Sequence, residues 1–330
     1  MSFAGPLAAL FSRPPIVLAP MEDVSDLPFR RMCREFGATL TMTEFVRAER
    51  LLSSCRAAAR KVTLAPDDRP TAIQIYGADA GLLMEAAQVA AAAGPAFVDL
   101  NCGCWVPRVA RGGAGASWLR RPAAMVEMAA RVVAATAPLP VTVKTRIGWG
   151  DEADMPIVDL ARRLEDAGVA AITVHCRTAK MGHSGRADWS WAMRVQRAVR
   201  IPVVVNGDIR SADDARRALD ETGAAGVMIG RAAIDAPWLF AEVRALLDRG
   251  ERLPPLGLSE RLALYARVLG DNVAQRGPKF GVLVTRRHAR AWFASFAEGE
   301  ALRAQLMTAA TERECLALLA ACRSSLANAA

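Results

Sequence analysis

The residues with the clearest chemical potential lie between positions 99 and 115, where two thiols and a glycine-rich loop follow an apolar run. Residues 97–100 predict a short buried strand, which Asn101 would end with a side chain that can hydrogen-bond beyond it. Cys102 and Cys104 come next, on a turn around a glycine that permits backbone angles closed to other residues. A cysteine held there can give up a proton. The alternative is a strand-to-helix turn in which both thiols are small buried hydrophobes.

The surrounding elements favour a loop at the mouth of a barrel. Strands are predicted at residues 16–19, 40–43, 71–76, 97–100, 141–146, 171–175, 202–205 and 226–229. Helices are predicted at residues 26–36, 80–93, 123–135, 156–167, 189–199 and 212–220. Eight strands alternating with helices over ~230 residues are typical of an α/β fold, the (β/α)8 TIM barrel. The competing open doubly wound sheet is disfavoured because no Gly-x-Gly-x-x-Gly follows the first strand.

The chain length leaves room for a second unit after the barrel. A barrel needs ~250 of the 330 residues, and residues 259–325 predict several amphipathic helices. We therefore predict a catalytic barrel over residues 1–248 and a smaller C-terminal all-α helical domain over residues 249–330. An apolar share of 52% and a charged share of 23% fit a globular chain with a large core.

Composition excludes several other classes of protein. No apolar run reaches the ~18 residues of a membrane helix, and the first six residues lack the basic region of a secretory signal. The seven cysteines are scattered and odd in number, which fits reduced thiols rather than a disulfide framework. With three histidines and no second close cysteine pair, the sequence predicts no metal site. We expect a cytoplasmic protein with no membrane partner.

The net charge of +8 is concentrated towards the C-terminus. Residues 251–330 carry eleven Lys and Arg against seven Asp and Glu, which supplies half of the excess. Within them, one run of cations has no acid between its members: Arg276, Lys279, Arg286, Arg287 and Arg290. Such a run is either a solvated helix face or a surface that binds a polyanion such as a nucleic acid.

The barrel prediction brings distant residues together, because the carboxyl ends of barrel strands share one mouth. The predicted ends carry Pro20, Met21, Gln74, Asn101, Lys144, His175, Asn206, Gly207, Asp208, Gly230 and Arg231. The glycine loops after the seventh and eighth strands lie where barrels commonly bind a phosphate group. Lys144 is one of four lysines against thirty-eight arginines, which favours a specific use for its compact charge. Taken singly, Lys144 can equally reach solvent, and His175 can be a satisfied core histidine.

Several ordered segments of the chain resemble the tRNA-dihydrouridine synthase family. They are residues 19–30, the strand around Gln74, and residues 101–104, 143–146, 173–178, 185–189, 206–209 and 228–233. Their order and spacing match over about residues 15–240. The later Arg286, Arg287 and His288, with Trp292, resemble the family's C-terminal helical domain. One segment alone is a weak signal, but the ordered set is specific.

The resemblance implies an FMN enzyme that uses NADPH to reduce a uridine of tRNA to 5,6-dihydrouridine. In that scheme the N5 atom of reduced FMN delivers a hydride to C6, and a cysteine thiol protonates C5 on the opposite face. Cys104 takes the place of that cysteine, whereas Cys102 falls on a variable position of the motif. An unperturbed thiol pKa of ~8.5 leaves such an acid mostly protonated at neutral pH. The partner would be tRNA, and we expect a monomer.

The resemblance also implies roles for the other residues at the mouth. The segment beneath the flavin ring would be Pro20, Met21 and Glu22. The polar edge of the ring would meet Gln74 and Lys144, with His175 nearby. The phosphate end would be held by Asn206, Gly207, Asp208, Gly230 and Arg231. Substrate contacts would come from Asn101, Arg146, Arg177, Arg286 and Arg287, with the flavin as an alternative contact for the first three.

Two residues beside Cys104 depart from the family pattern. Trp105 stands where the family usually has a proline directly after the cysteine, and Arg108 stands where it usually has a lysine. Trp105 can stack on a nucleotide or simply pack, and Arg108 keeps the charge with another geometry. Two other functions stay open: a small-molecule FMN pyrimidine oxidoreductase similar to dihydroorotate or dihydropyrimidine dehydrogenase, and a non-catalytic RNA-binding factor.

Overall fold

Nine parallel strands form one closed sheet in the computed structural model, which describes residues 7–53, 55–150 and 155–329. The strands are β1 Ile16–Leu18, β2 Leu40–Met42, β3 Val46–Arg47, β4 Thr71–Tyr76, β5 Val98–Cys102, β6 Val141–Arg146, β7 Ala171–His175, β8 Val203–Asn206 and β9 Gly226–Ile229. β1 pairs with β2 and β9, and β2 pairs with β4, so eight strands close the barrel. The short β3 pairs with the later part of β4. The predicted (β/α)8 TIM barrel is confirmed.

Helices follow every barrel strand and continue beyond the last one. They are α1 Leu27–Glu35, α2 Ala48–Leu52, α3 Arg56–Val62, α4 Ala80–Ala92, α5 Pro107–Ala110, α6 Pro122–Thr136, α7 Ile157–Asp166, α8 Ser190–Ala198, α9 Ala212–Thr222, α10 Arg231–Asp235, α11 Leu239–Arg249, α12 Leu258–Arg276, α13 Pro278–Phe293, α14 Gly299–Thr308 and α15 Glu312–Ala329. The predicted helical unit after the barrel is therefore present, and its predicted start at residue 249 falls at the end of α11. None of the described helices combines the length and apolar character needed to cross a membrane.

Alternation along the strands decides which side chains face the barrel interior. Towards the amino ends of the strands, one buried apolar cluster includes Val17, Ala72 and Val204. Two residues further along β4 and β8, on the same face, come the polar Gln74 and Asn206. The interior thus changes from apolar to polar towards the carboxyl ends, where a ligand can enter.

Two strands run further than the sequence predicted. β5 continues through Asn101 and Cys102, because Asn101 pairs with Lys144 of β6. Asn101 therefore lies inside the strand instead of ending it. β8 likewise includes Asn206. β3, α2 and α3 were not predicted, because they are too short to show a clear hydrophobic period.

The C-terminal helices are attached to the barrel by buried polar contacts. Arg276 Nη2 lies 2.7 Å from Asp26 Oδ2, and Asp26 is 4% exposed. Trp292 is fully buried and donates its indole N–H to Ile234 O at 3.0 Å. A charged pair shielded from water and a satisfied indole both favour one fixed packing of the helices on the barrel.

The predicted basic run is only partly a free surface. Arg276 and Arg287 both approach the carboxylate of Asp26, so they hold the C-terminal helices on the barrel. Arg286 donates to Ala309 O at 2.7 Å, within the C-terminal helices. Both guanidinium groups thus make packing contacts, and the predicted substrate contacts of Arg286 and Arg287 stay predictions.

Two neighbouring ion pairs of α1 differ in burial and provide a matched test of stability. Arg30 and Asp68 are 2% and 0% exposed, whereas Arg31 and Asp67 are 42% and 63% exposed. Asp68→Ala leaves the Arg30 charge buried and unpaired, so the free energy of unfolding should fall by about 3–5 kcal/mol. Asp67→Ala should lower it by less than about 1 kcal/mol. Urea unfolding followed by circular dichroism measures both changes, and equal losses would contradict the prediction.

Candidate active site

A cavity of about 650 Å³ opens at the carboxyl ends of the barrel strands, a size typical of ligand-binding sites. Its wall includes Cys104 and every residue that the sequence predicted to hold a cofactor. Asn101 and Arg146 also line it, while the other predicted substrate contacts lie elsewhere. The expected convergence of the strand ends is observed, and the individual roles stay predictions.

A chain of buried polar side chains runs from the barrel interior to the thiol loop. Asp99 accepts hydrogen bonds from Gln74 Nε2 at 2.6 Å and from Thr142 Oγ1. Gln74 Oε1 accepts from Asn101 Nδ2 at 2.8 Å, and Asn101 Oδ1 accepts from the backbone N–H of Cys104 at 2.9 Å. Burial raises the pKa of Asp99 to about 6. Asn101 thus holds the thiol loop through Oδ1 and is itself held by Gln74 through Nδ2. Its predicted contact with the substrate or the flavin stays a prediction.

Lys144 brings a half-buried positive charge to the cavity wall. Burial lowers the pKa of its ammonium group to about 8. Its Nζ donates to Asn206 Oδ1 at 3.3 Å, and Asn206 is itself held by donating to Met228 O at 2.9 Å. An ammonium group has three N–H donors, and this is its one side-chain hydrogen bond within the described ranges. The spare donors fit an electron-rich, hydrogen-bond-accepting ligand in the cavity.

The two cysteines of the thiol motif have different surroundings. Cys102 is 1% exposed within β5, so it is the small buried hydrophobe of the alternative interpretation. Cys104 is partly exposed and lines the cavity. Burial raises the pKa of the Cys104 thiol, although a backbone N–H and the nearby Arg146 and Lys144 act in the opposite direction. At neutral pH the Cys104 thiol therefore keeps its proton and faces the cavity.

The glycine-rich loop packs closely against the thiol loop. Ala116 donates its backbone N–H to Cys104 O at 2.9 Å. Gly115 has φ +58, and a Cβ at that position would lie 2.5 Å from Cys104 O. Both the backbone angle and the contact require glycine there. Cys104 is thus held from one side by Asn101 and from the other by this crossing segment.

Two buried arginines hold the loops around the mouth. Arg146 lines the cavity, but it donates to three backbone oxygens of the flanking loops, each at 2.9 Å. Arg177 donates to Gly185 O and to both carboxylate oxygens of Asp208, all at 2.7 Å. Arg177 is 0% exposed and lies outside the cavity wall, so these contacts hold the loops, and its predicted substrate contact stays a prediction.

The two predicted phosphate loops differ in whether their charged side chain is already paired. The carboxylate of Asp208 pairs with Arg177 and Arg210. Gly207 has φ +117, and a Cβ there would lie 2.9 Å from a neighbouring alanine Cβ, so the position requires glycine. Arg231 is exposed on the cavity wall and has no ion-pair partner in the part of the chain that the structure describes. Arg231 is therefore the cation that these loops can offer to an anionic group.

An ion-pair cluster connects the mouth to the C-terminal helices. Glu22 lines the cavity, but Lys61 Nζ binds its carboxylate at 2.6 Å. Glu22, Asp23 and Glu44 place carboxylate oxygens within 4.8 Å of one another, with Lys61 and Arg276 as counter-charges. Much of the charge of Glu22 is thus already satisfied by Lys61. The predicted contact of Glu22 with a flavin stays a prediction.

Several residues of the site were not predicted from the sequence. Phe45 and His183 lie in loops, where no periodic pattern marks them, and both line the cavity. The ring of Trp105 meets that of His183 edge to face, with centroids 5.7 Å apart. Trp105 therefore packs against the opposite loop while it lines the cavity. Asp99 was also missed, although its two-residue spacing from Asn101 places both on one face of β5.

A (β/α)8 barrel with a polar cavity at the carboxyl ends of its strands has the architecture of a barrel enzyme. Residues 17–328 match the family model described as "Dihydrouridine synthase (Dus)", and the chain belongs to that family. It is 39% identical to a probable tRNA-dihydrouridine synthase of Rhodobacter capsulatus, over 93% of this chain and 94% of the relative. It is 36% identical to tRNA-dihydrouridine synthase B of Pseudomonas aeruginosa, over 88% and 87% of the two chains.

Solved structures resemble this chain in fold. Morphinone reductase superposes with a TM-score of 0.53 at 15% identity, over 73% of this chain and 87% of that one. A likeness at this level of identity supports the barrel architecture alone. The family resemblance inferred from the ordered segments is confirmed by the family model and the relatives together.

The surroundings of Cys104 and Cys55 predict different titration of their thiols. Burial raises the pKa of Cys104, whereas the backbone N–H groups of Ala58 and Ala57 lower the pKa of Cys55. Since iodoacetamide alkylates the thiolate form, Cys55 should be labelled at lower pH than Cys104. Peptide mass spectrometry after labelling across a pH series gives both midpoints, and a lower midpoint for Cys104 would refute the assignment.

Proposed function

We propose that this protein is a tRNA-dihydrouridine synthase, which reduces a uridine of tRNA to 5,6-dihydrouridine with FMN as cofactor and NADPH as reductant. The observation that carries the proposal is that Cys104 and Lys144 line one cavity at the barrel mouth of a dihydrouridine synthase family member. Relatives that match most of the chain bear this name. A protonated thiol and a half-buried cation are groups that reduction of a carbon–carbon double bond by a hydride donor can use.

The donors around the cavity fit a flavin. Lys144 has spare N–H donors for the polar edge of the ring, and Arg231 is an exposed guanidinium suited to a phosphate group. The residues that would hold FMN are Pro20, Met21, Glu22, Gln74, Lys144, His175, Asn206, Gly207, Asp208, Gly230 and Arg231. When bound, reduced FMN supplies the hydride that C6 of the uracil receives, with NADPH as the source of the electrons.

The chain's own residues hold and place the proton. Cys104 stays protonated at neutral pH because burial raises its pKa, and it gives this proton to C5 of the uracil. Lys144 and Arg146 stabilise the thiolate that remains, since their charges oppose the effect of burial. Asn101 keeps the loop in place by accepting the Cys104 backbone N–H. A positioned proton donor contributes on the order of 10²- to 10⁴-fold to such a rate.

The exposed cations of the chain fit an RNA substrate. A uridine in folded tRNA has to leave its stack before it can reach Cys104. Lys279 and Arg290 are exposed on α13, and Arg231 is exposed at the mouth. These side chains can neutralise phosphates of a tRNA while one base enters the cavity.

The small-molecule alternative is not favoured. The family match extends to residue 328, so it includes the C-terminal helices as well as the barrel. The matched relatives are named for action on tRNA. Retention of Cys104 and Lys144 in one cavity also argues against a factor that only binds RNA.

Loss of the thiol should abolish most of the activity and leave the flavin bound. In cells that lack the gene, we expect dihydrouridine to disappear from a defined position of tRNA and to return with the wild-type protein. Cys104→Ala should lower the rate of dihydrouridine formation by about 10²- to 10⁴-fold, with flavin absorbance retained. Cys55→Ala, outside the cavity, is the matched control and should behave as wild type. Mass spectrometric mapping measures these outcomes, and full activity of Cys104→Ala would refute the assigned acid.

Binding of tRNA should depend on salt, whereas binding of FMN should not. Each phosphate neutralised by a cation releases counterions, so the binding constant falls as salt rises. Lys279→Gln should reduce the slope of log binding constant against log salt by about 1. Filter binding and flavin absorbance at several salt concentrations test this, and a salt-independent tRNA affinity would contradict the electrostatic part of the proposal.

A further inference from the structure

A second hollow, of about 420 Å³, opens beside the mouth. Glu22 and Phe45 belong to the walls of both spaces, so the hollow adjoins the main cavity. We propose that this hollow is a subsite for the nucleotide next to the target uridine in the RNA. The proposal rests on the proposed function and adds to it a binding place for the flanking nucleotide.

Two aromatic rings give the hollow a surface on which a base can stack. Tyr76 is the last residue of β4 and is half-buried. Its ring meets that of Phe45 edge to face, with centroids 5.4 Å apart and an interplanar angle of 79°. Both rings line the hollow. Aromatic side chains stack on any base, since every base has a π-face, so the subsite tolerates different neighbours of the uridine.

Positive charge is in excess around the same hollow. Its wall holds four cations, Arg47, Arg50, Lys61 and Arg108, and two acids, Glu22 and Glu49. Glu49 is bound by Arg47 at 2.9 Å, and Glu22 is bound by Lys61 at 2.6 Å.

Arg50 and Arg108 supply the excess. Arg50 is exposed on α2 and has no ion-pair partner in residues 7–53, 55–150 and 155–329. Arg108 is 73% exposed and lies 4.0 Å from Glu22, a carboxylate that Lys61 already binds. One nucleotide in a chain is flanked by two phosphates, and two largely unpaired guanidinium groups match that charge.

The place of the hollow matches what an extruded base requires. A uridine that enters the mouth stays joined to both neighbours, so one neighbour lies at the rim beside it. The hollow adjoins this rim through Phe45 and Glu22. A dinucleotide reductant also carries a base and phosphates, so the experiment has to separate the two sources.

The test is a double-mutant cycle between protein and RNA. Transcripts of the mapped tRNA carry an abasic nucleotide on the 5′ or the 3′ side of the target uridine. With intact transcript, Tyr76→Leu should weaken binding about tenfold, and Tyr76→Phe, which keeps the ring, should stay within about twofold of wild type. When the transcript lacks the base on one of these two sides, Tyr76→Leu should weaken binding little further. Additive losses at both positions would overturn the subsite.

A charge variant and a reductant measurement complete the test. Arg50→Gln should weaken tRNA binding and lower its salt slope by about 1. Arg200→Gln removes a side chain that is 93% exposed and outside both cavities, so it should change neither the tRNA affinity nor the salt slope. If Tyr76→Leu or Arg50→Gln raises the KM for NADPH and leaves tRNA binding unchanged, the hollow belongs to the reductant and the proposal is overturned. A wild-type protein that forms no dihydrouridine refutes the proposed function, whereas an active wild type with additive losses refutes the subsite alone.

Discussion

The need to satisfy buried polar groups is the constraint on which this site depends. Gln74, Asp99 and Asn101 lie in the interior, where each unpaired polar group would cost about 1–3 kcal/mol. They satisfy one another across β4 and β5, and the last acceptor of the series binds the backbone of Cys104. The hydrogen bonds that make the polar half of the barrel stable therefore also fix the thiol loop. The same contacts therefore position the Cys104 thiol and stabilise the fold.

Arginine and lysine have different tasks in this molecule. Arg30, Arg146 and Arg177 are among the largest fully buried side chains, and each spreads several N–H donors over carbonyl or carboxylate oxygens. The planar guanidinium group suits such multiple bonding and keeps its charge when buried. Lys144 instead brings a compact ammonium group with spare donors to the cavity. Of the four lysines, Lys144 therefore lies where a ligand can use a point charge.

One carboxylate links the barrel to the C-terminal helices. Asp26 Oδ1 accepts the backbone N–H of Phe29 and so caps α1, while Oδ2 binds Arg276 at 2.7 Å. Asp26 follows closely on the segment that carries Pro20 and Met21 at the cavity wall. Because the cap, the ion pair and this segment share a short stretch of chain, the placing of the helices and the shape of the mouth depend on each other.

The sequence by itself determined the barrel, the approximate positions of its eight strands and the family, because two-residue and helical periods and ordered motifs are local patterns. It also placed Cys104 and Lys144 at the mouth, since strand ends converge in any such barrel. The tertiary structure alone decided that Asn101 holds the thiol loop and that Arg177 and Arg287 act in packing. A hydrogen bond or ion pair depends on the partner that folding brings within about 3 Å. Those partners lie on other strands and helices, where no local pattern in the chain can specify them.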